Sequence, residues 1–128
     1  MQQGFVEVPG LRVEVEEVIY MPHLDAPEER PFPFVYFLSI VNDSDRKLTI
    51  WGRKWIVKDR DGETVVVEGR GVVGETPVLG PGERFSYNSY HVVKTDSEAS
   101  GSFFGTVEGG EKIRVSIPPF QLVLPVKK

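Results

Sequence analysis

The stretch Gly69-Arg70-Gly71-Val72-Val73-Gly74 spells G-x-G-x-x-G, the glycine spacing that cradles a dinucleotide pyrophosphate. That chemistry needs a strand before the glycines and a helix opening at the last of them, because the helix N-terminus holds the negative charge. The valines within Thr64 to Glu68 supply the strand. No helix can follow, since Pro77, Gly80, Pro81 and Gly82 crowd the next residues. The spacing therefore predicts an irregular connection between strands and no dinucleotide site. A small-anion site stays open as a candidate, built from inward amides of Gly69, Gly71 and Gly74 and the guanidinium of Arg70. Arg53 is a candidate second arm. The same glycines have a plainer use: they supply positive φ and let backbones approach where a chain changes sheets.

Three other groups contain chemistry-bearing side chains. Ser86, Ser89 and His91 hold the ingredients of a nucleophile and its base, but no acid stands at a defining spacing and no elbow turn presents the serine. His23, Asp25, Glu28 and Glu29 could face a hard cation, yet they match no known cage and read as a solvated acidic loop. Trp51 and Trp55 are four apart and share a face if no bulge intervenes. Trp55 is placed in the core. Trp51, with Phe104, is the candidate anchor for a protein partner. No catalytic residue, metal ligand or cofactor is assigned.

Composition narrows the setting of these groups. The 128 residues form one expected domain, 1–128, large enough for a core without staples. With no cysteine there is neither a disulfide nor a thiolate metal site. A net charge of -4 with interleaved signs argues against a nucleic-acid binder. No apolar run approaches a membrane span, and the polar start Met1-Gln2-Gln3-Gly4 is not a secretory signal. The expected setting is the cytoplasm, with no membrane and no nucleic acid as partner.

The elements that must hold these residues are strands. Leu11 to Glu16 alternates apolar and polar residues, and the alternation slips at Glu16-Glu17, which predicts a β-bulge. A proline-rich loop runs from Met21 to Pro33, then Phe34 to Val41 reads as a central strand. Asn42 to Asp45 is a turn by composition. Leu48 to Trp51 and Lys54 to Lys58 are strand segments, bent or bulged near Gly52. Asp61-Gly62 predicts a type I′ hairpin, and Pro81-Gly82 a type II turn. Ser102 to Val107 and Ile113 to Ile117 follow, and Pro118-Pro119 is expected to break the chain before a last strand, Phe120 to Leu124. Roughly seven or eight short strands without helical periodicity predict an all-β antiparallel sandwich. Parity places Val13, Val15, Phe34, Tyr36, Leu38, Ile40, Trp55, Val57, Phe85, Tyr87, Val115, Ile117 and Leu122 in its core.

Several motifs in fixed order also carry a family resemblance. Trp55-Ile56-Val57-Lys58-Asp59, Asp61-Gly62 and Val67 through Pro77 are followed by Leu79-Gly80-Pro81-Gly82-Glu83. Phe85 through Ser89 and Ile117 through Leu122 complete the set. Together they resemble the ApaG domain family, most closely from Trp51 to Pro125. The resemblance implies an immunoglobulin-like or fibronectin type III-like sandwich and no established reaction. It implies a loose association with cobalt and magnesium homeostasis. It also implies modules that occur alone in bacteria and attached to other modules in eukaryotes, including F-box-type and polymerase-associated proteins. This chain departs from the family pattern at Lys54, where histidine is usual, at Tyr90, where glycine is usual, and at Ser102-Phe103-Phe104. The expected function is a non-enzymatic protein-interaction module, as monomer or homodimer, with an unknown protein partner. The alternatives are a phosphate or pyrophosphate binder at Gly69 to Gly74, and behind it a hydrolase of phosphorylated nucleotides.

Overall fold

The structure, a computed structural model, describes residues 4–125. The polar start Met1 to Gln3 lies outside the described residues. The strands are β1 (Leu11–Tyr20), β2 (Phe32–Asn42), β3 (Leu48–Asp59) and β4 (Thr64–Arg70). They continue as β5 (Val78–Leu79), β6 (Arg84–Val93), β7 (Ser97–Val107) and β8 (Lys112–Leu122). One sheet is three-stranded, in the order β1-β2-β6. The other is five-stranded, in the order β4-β3-β7-β8, with β5 also paired to β3. All of these strand pairs are antiparallel. The described residues contain no helix. The inner faces meet in one apolar cluster, so the molecule is the expected β-sandwich.

Val13, Phe34, Tyr36, Leu38, Ile40, Trp55, Val57, Val115, Ile117 and Leu122 are buried as parity requires. Val15, Phe85 and Tyr87 are only half-buried and pack at the margin of the cluster. The Glu16 bulge is present, as β1 slips against β2 between Val15 and Glu17. Pro81-Gly82 forms the type II turn: Glu83 N–H donates to Gly80 O at 3.1 Å, and Gly82 has φ of 85°. Asn42 is buried, with its amide on the carbonyls of Arg46 and Leu79.

Three expectations need correction. Pro118-Pro119 lies within β8 rather than ending it. That strand is an edge, and its register slips against β7 between Ala99 and Gly101, so the missing amides cost no ladder bonds that a central strand would need. Pro33 belongs to β2 and is fully buried, so the preceding loop is shorter. Asp61-Gly62 is not a type I′ turn, because only Gly62 has positive φ there. Gly62 N–H donates to Asp59 O, and Asp59 N–H donates to Glu63 O. The Asp59 carboxylate accepts from the amides of Asp61 and Glu63, which favours this bulged turn. The type I′ geometry appears instead at Val73-Gly74, both at positive φ, between the mutually bonded Val72 and Glu75. Val73 is the one non-glycine residue with positive φ among the described residues, a costly position for a β-branched side chain.

Candidate binding cleft between the sheets

β1 packs against β8 and closes one side of the sandwich. On the other side a cavity of about 300 Å³ lies between the margins formed by β4 and β6. Its residues follow from strand parity. On β6, Phe85, Tyr87, Ser89 and His91 alternate toward β2 partners that face the core, Ile40, Leu38, Tyr36 and Phe34. On β4, Val65, Val67 and Gly69 stand opposite Val57, Trp55 and Arg53 of β3 and so share their inward face. The cavity is lined by Val65 and Val67 on one wall and by Ser89 and His91 on the other. Tyr36 and Trp55 lie at its floor. Arg53, Arg30 and Lys94 bring positive charge, with Asp59 and Glu63 near Lys94.

The floor is an aromatic stack. The His91 ring lies 4.7 Å from Tyr36 at 28°, and meets Trp55 edge-on at 4.6 Å. Burial pushes the His91 imidazole down to about 4, so it is neutral at pH 7, and its Nε2 is buried without a hydrogen-bond partner. Burial also raises the Tyr36 and Tyr87 hydroxyls, with the Arg53 charge pulling back on both. The Tyr87 hydroxyl is likewise buried and unpartnered. Arg53 donates Nη1 to the carbonyls of Arg70, at 2.8 Å, and Gly71, at 3.1 Å. A Cβ on Gly69 would sit 2.8 Å from that guanidinium, so glycine is what lets the arginine lie there. No carboxylate forms an ion pair with Arg53 among the described residues, whereas Lys94 is held by Glu63 at 2.7 Å.

A buried hydroxyl with no partner carries its desolvation cost without return. Tyr87→Phe is therefore expected to leave stability unchanged or raise it by up to about 1 kcal/mol, read from the urea midpoint. A loss above about 1 kcal/mol would show that the hydroxyl makes a bond in solution.

The sites named from the sequence fall in different places. In the glycine stretch, Gly71 N–H donates to Trp51 O at 2.7 Å, and the Val72 and Glu75 amides bond each other's carbonyls. Carbonyls, not amides, face Arg53. Arg70 is exposed on the outer side of β4, opposite Gly52. Trp51 and Trp55 do not share a face: β3 slips against β7 between Ile50 and Gly52, and the bulge turns Trp51 outward. Trp51 and Phe104 do come together, half-buried on the outer face, but under Phe5. Phe5 lies 6.4 Å from Trp51 and 5.2 Å from Phe104, and Trp51 Nε1 donates to Thr106 Oγ1. The segment bearing Phe5 is tied to β8 through Val6. Ser86 faces away from His91 and bonds Ser39 at 2.7 Å. Among the described residues, no three His, Cys, Asp or Glu side chains gather to hold a metal ion, and no helix is long and apolar enough to cross a membrane. The sequence suggested Ser89 and His91 as one set and Arg53 as an arm of the glycine stretch, and did not show that all three line one cavity. The visible signal was Ser89 and His91 at inward positions of an otherwise apolar face.

Comparison with known proteins agrees with this architecture. A family model described as the ApaG domain matches residues 22–108. A relative named Protein ApaG from Rhodopseudomonas palustris is 39% identical over 119 residues, covering 91% of this chain and 92% of the relative. Another of that name, from Pectobacterium carotovorum, is 32% identical over 121 residues, covering 94% and 96%. A crystal structure from Bordetella pertussis, described as an ApaA protein, has a TM-score of 0.82 at 31% identity, covering 95% of this chain and 99% of that one. None of these descriptions specifies a reaction. With the family model spanning most of the sandwich and relatives aligned nearly end to end, the chain belongs to the ApaG domain family.

Proposed function

We propose that this chain is a non-enzymatic protein-interaction module whose binding face is the β4–β6 cleft. The carrying observation is the cleft itself: an apolar wall, an arginine with no carboxylate partner among the described residues and an unpartnered buried nitrogen, His91 Nε2, in one cavity. Such a mixture costs stability in the free protein, which is the usual mark of a surface kept for a ligand. The second reading, a small anion held by the Gly69 to Gly74 amides with Arg70, has less support, since the amides of Gly71, Val72 and Glu75 are already bonded. The outer aromatic face at Trp51 and Phe104 is a weaker anchor because Phe5 covers it.

The test is photocrosslinking in the native cell, with benzoylphenylalanine placed at Val67 in the cleft, at Phe104 on the outer face or at Val78. A discrete protein adduct from position 67, stronger than from the other two, is the expected result. Adducts from position 104 alone would move the interface to the outer face. No adduct from any position would sink the interaction reading.

A further inference from the structure

Resting on that reading, we propose that the partner binds as an extended segment paired antiparallel to the free edge of β4, with one acidic side chain beside Arg53. Among the described residues, β4 hydrogen-bonds to β3 and to no other strand. Its seven residues hold no lysine and no proline, the usual guards of an edge. Val66 is 50% exposed and Val67 43%. An unguarded edge is a template for another strand, and main-chain bonds there supply affinity while alternate side chains supply specificity.

The alternate side chains can be read from the register. Val65, Val67 and Gly69 face the cleft, while Val66, Glu68 and Arg70 face outward. A strand added antiparallel to β4 would place residues two apart opposite Gly69, Val67 and Val65. Opposite Gly69 the Arg53 guanidinium lies open, with its Nη1 alone engaged by carbonyls. A carboxylate is the group that satisfies it. Opposite Val67 and Val65 the fit is apolar. The recognised pattern is therefore acid-x-apolar-x-apolar, written from the partner's N-terminus.

The other edge and the other obvious occupant fit less well. β6 is flanked by the 21–31 loop, where Tyr90 Oη donates to Asp25 O and Arg30 reaches the cavity. A second copy paired β4 to β4 would offer Arg53 only Val65, Val67 or Gly69, none of them an acid.

The test pans a displayed library of random nonapeptides on the full chain. Enriched peptides are expected to carry acid-x-apolar-x-apolar and to slow amide hydrogen exchange across residues 64–70. Their affinity should fall at least about tenfold when the acid becomes its amide, and again with Arg53→Gln. Because Arg53→Gln also removes two carbonyl contacts, Val67→Asp serves as the second variant. It is exposed, and it sets an acid in the cleft that repels the peptide. Enriched peptides without an acid, protection at Trp51 and Phe104 instead of β4, dimerisation through β4, or no enrichment would each overturn this mode. The interaction reading fails separately, only if the cellular crosslinks are also absent.

Discussion

Trp55→Ala is expected to lower the free energy of unfolding by about 3–5 kcal/mol. The ring is 2% exposed at the middle of β3. It bridges both sheets, with Tyr36 at 4.9 Å and His91 at 4.6 Å on one and Phe120 at 5.8 Å on the other. Those neighbours sit on strands held by their own ladders, so the void cannot close by one side chain moving. The lost transfer energy and the residual cavity therefore add. Domains of this kind have about 5–15 kcal/mol in total, so the variant should lose a large share of its stability. Urea unfolding should show a lower midpoint at an unchanged slope. A loss below about 1 kcal/mol would mean that the ring does not span the sheets in solution. Trp55→Phe should cost less, since it retains an aromatic face for Tyr36 and His91.

What the sequence made legible was mostly local. Two adjacent glutamates broke an alternation, and the Glu16 bulge is there. Pro81-Gly82 demanded one turn type and formed it. Misreadings arose where a neighbour distant in sequence decides. Pro118-Pro119 is harmless in β8 only because that strand is an edge, and no local pattern says which strand is an edge. The two tryptophans were separated by a bulge whose partner, β7, lies 55 residues on in the register of Ile50 with Gly105. The outer aromatic pair was legible as a pair, but its cover, Phe5, comes from the other end of the chain. The cleft was hidden for the same reason. His91 and Ser89 have inward parity in the sequence, but Arg53 joins them in the cavity lining only from the facing sheet, and Gly69 makes its room on a third strand.

The second large effect concerns that buried histidine and runs with pH. The folded chain holds His91 down to about 4, while the unfolded chain has the ordinary value of 6.5. Between these values the unfolded state takes up a proton that the folded state refuses, so acid favours unfolding. The stability from keeping His91 neutral is full above about pH 6.5 and falls as the pH drops toward about 4. At about 1.4 kcal/mol per unit, the whole loss is about 3 kcal/mol. Carboxylates held by ion pairs, such as Glu14 beside Arg12 and Arg84, are held below the ordinary carboxylate value of 4.5, so the losses they add come at lower pH. The window from about pH 6.5 to 4.5 therefore reports mainly on His91. Urea midpoints across that window should fall steadily for the parent chain. His91→Phe keeps a ring against Tyr36 and Trp55 but cannot titrate, so its midpoints should be nearly flat there. Equal slopes in both proteins would place the imidazole in water rather than on the floor of the cleft.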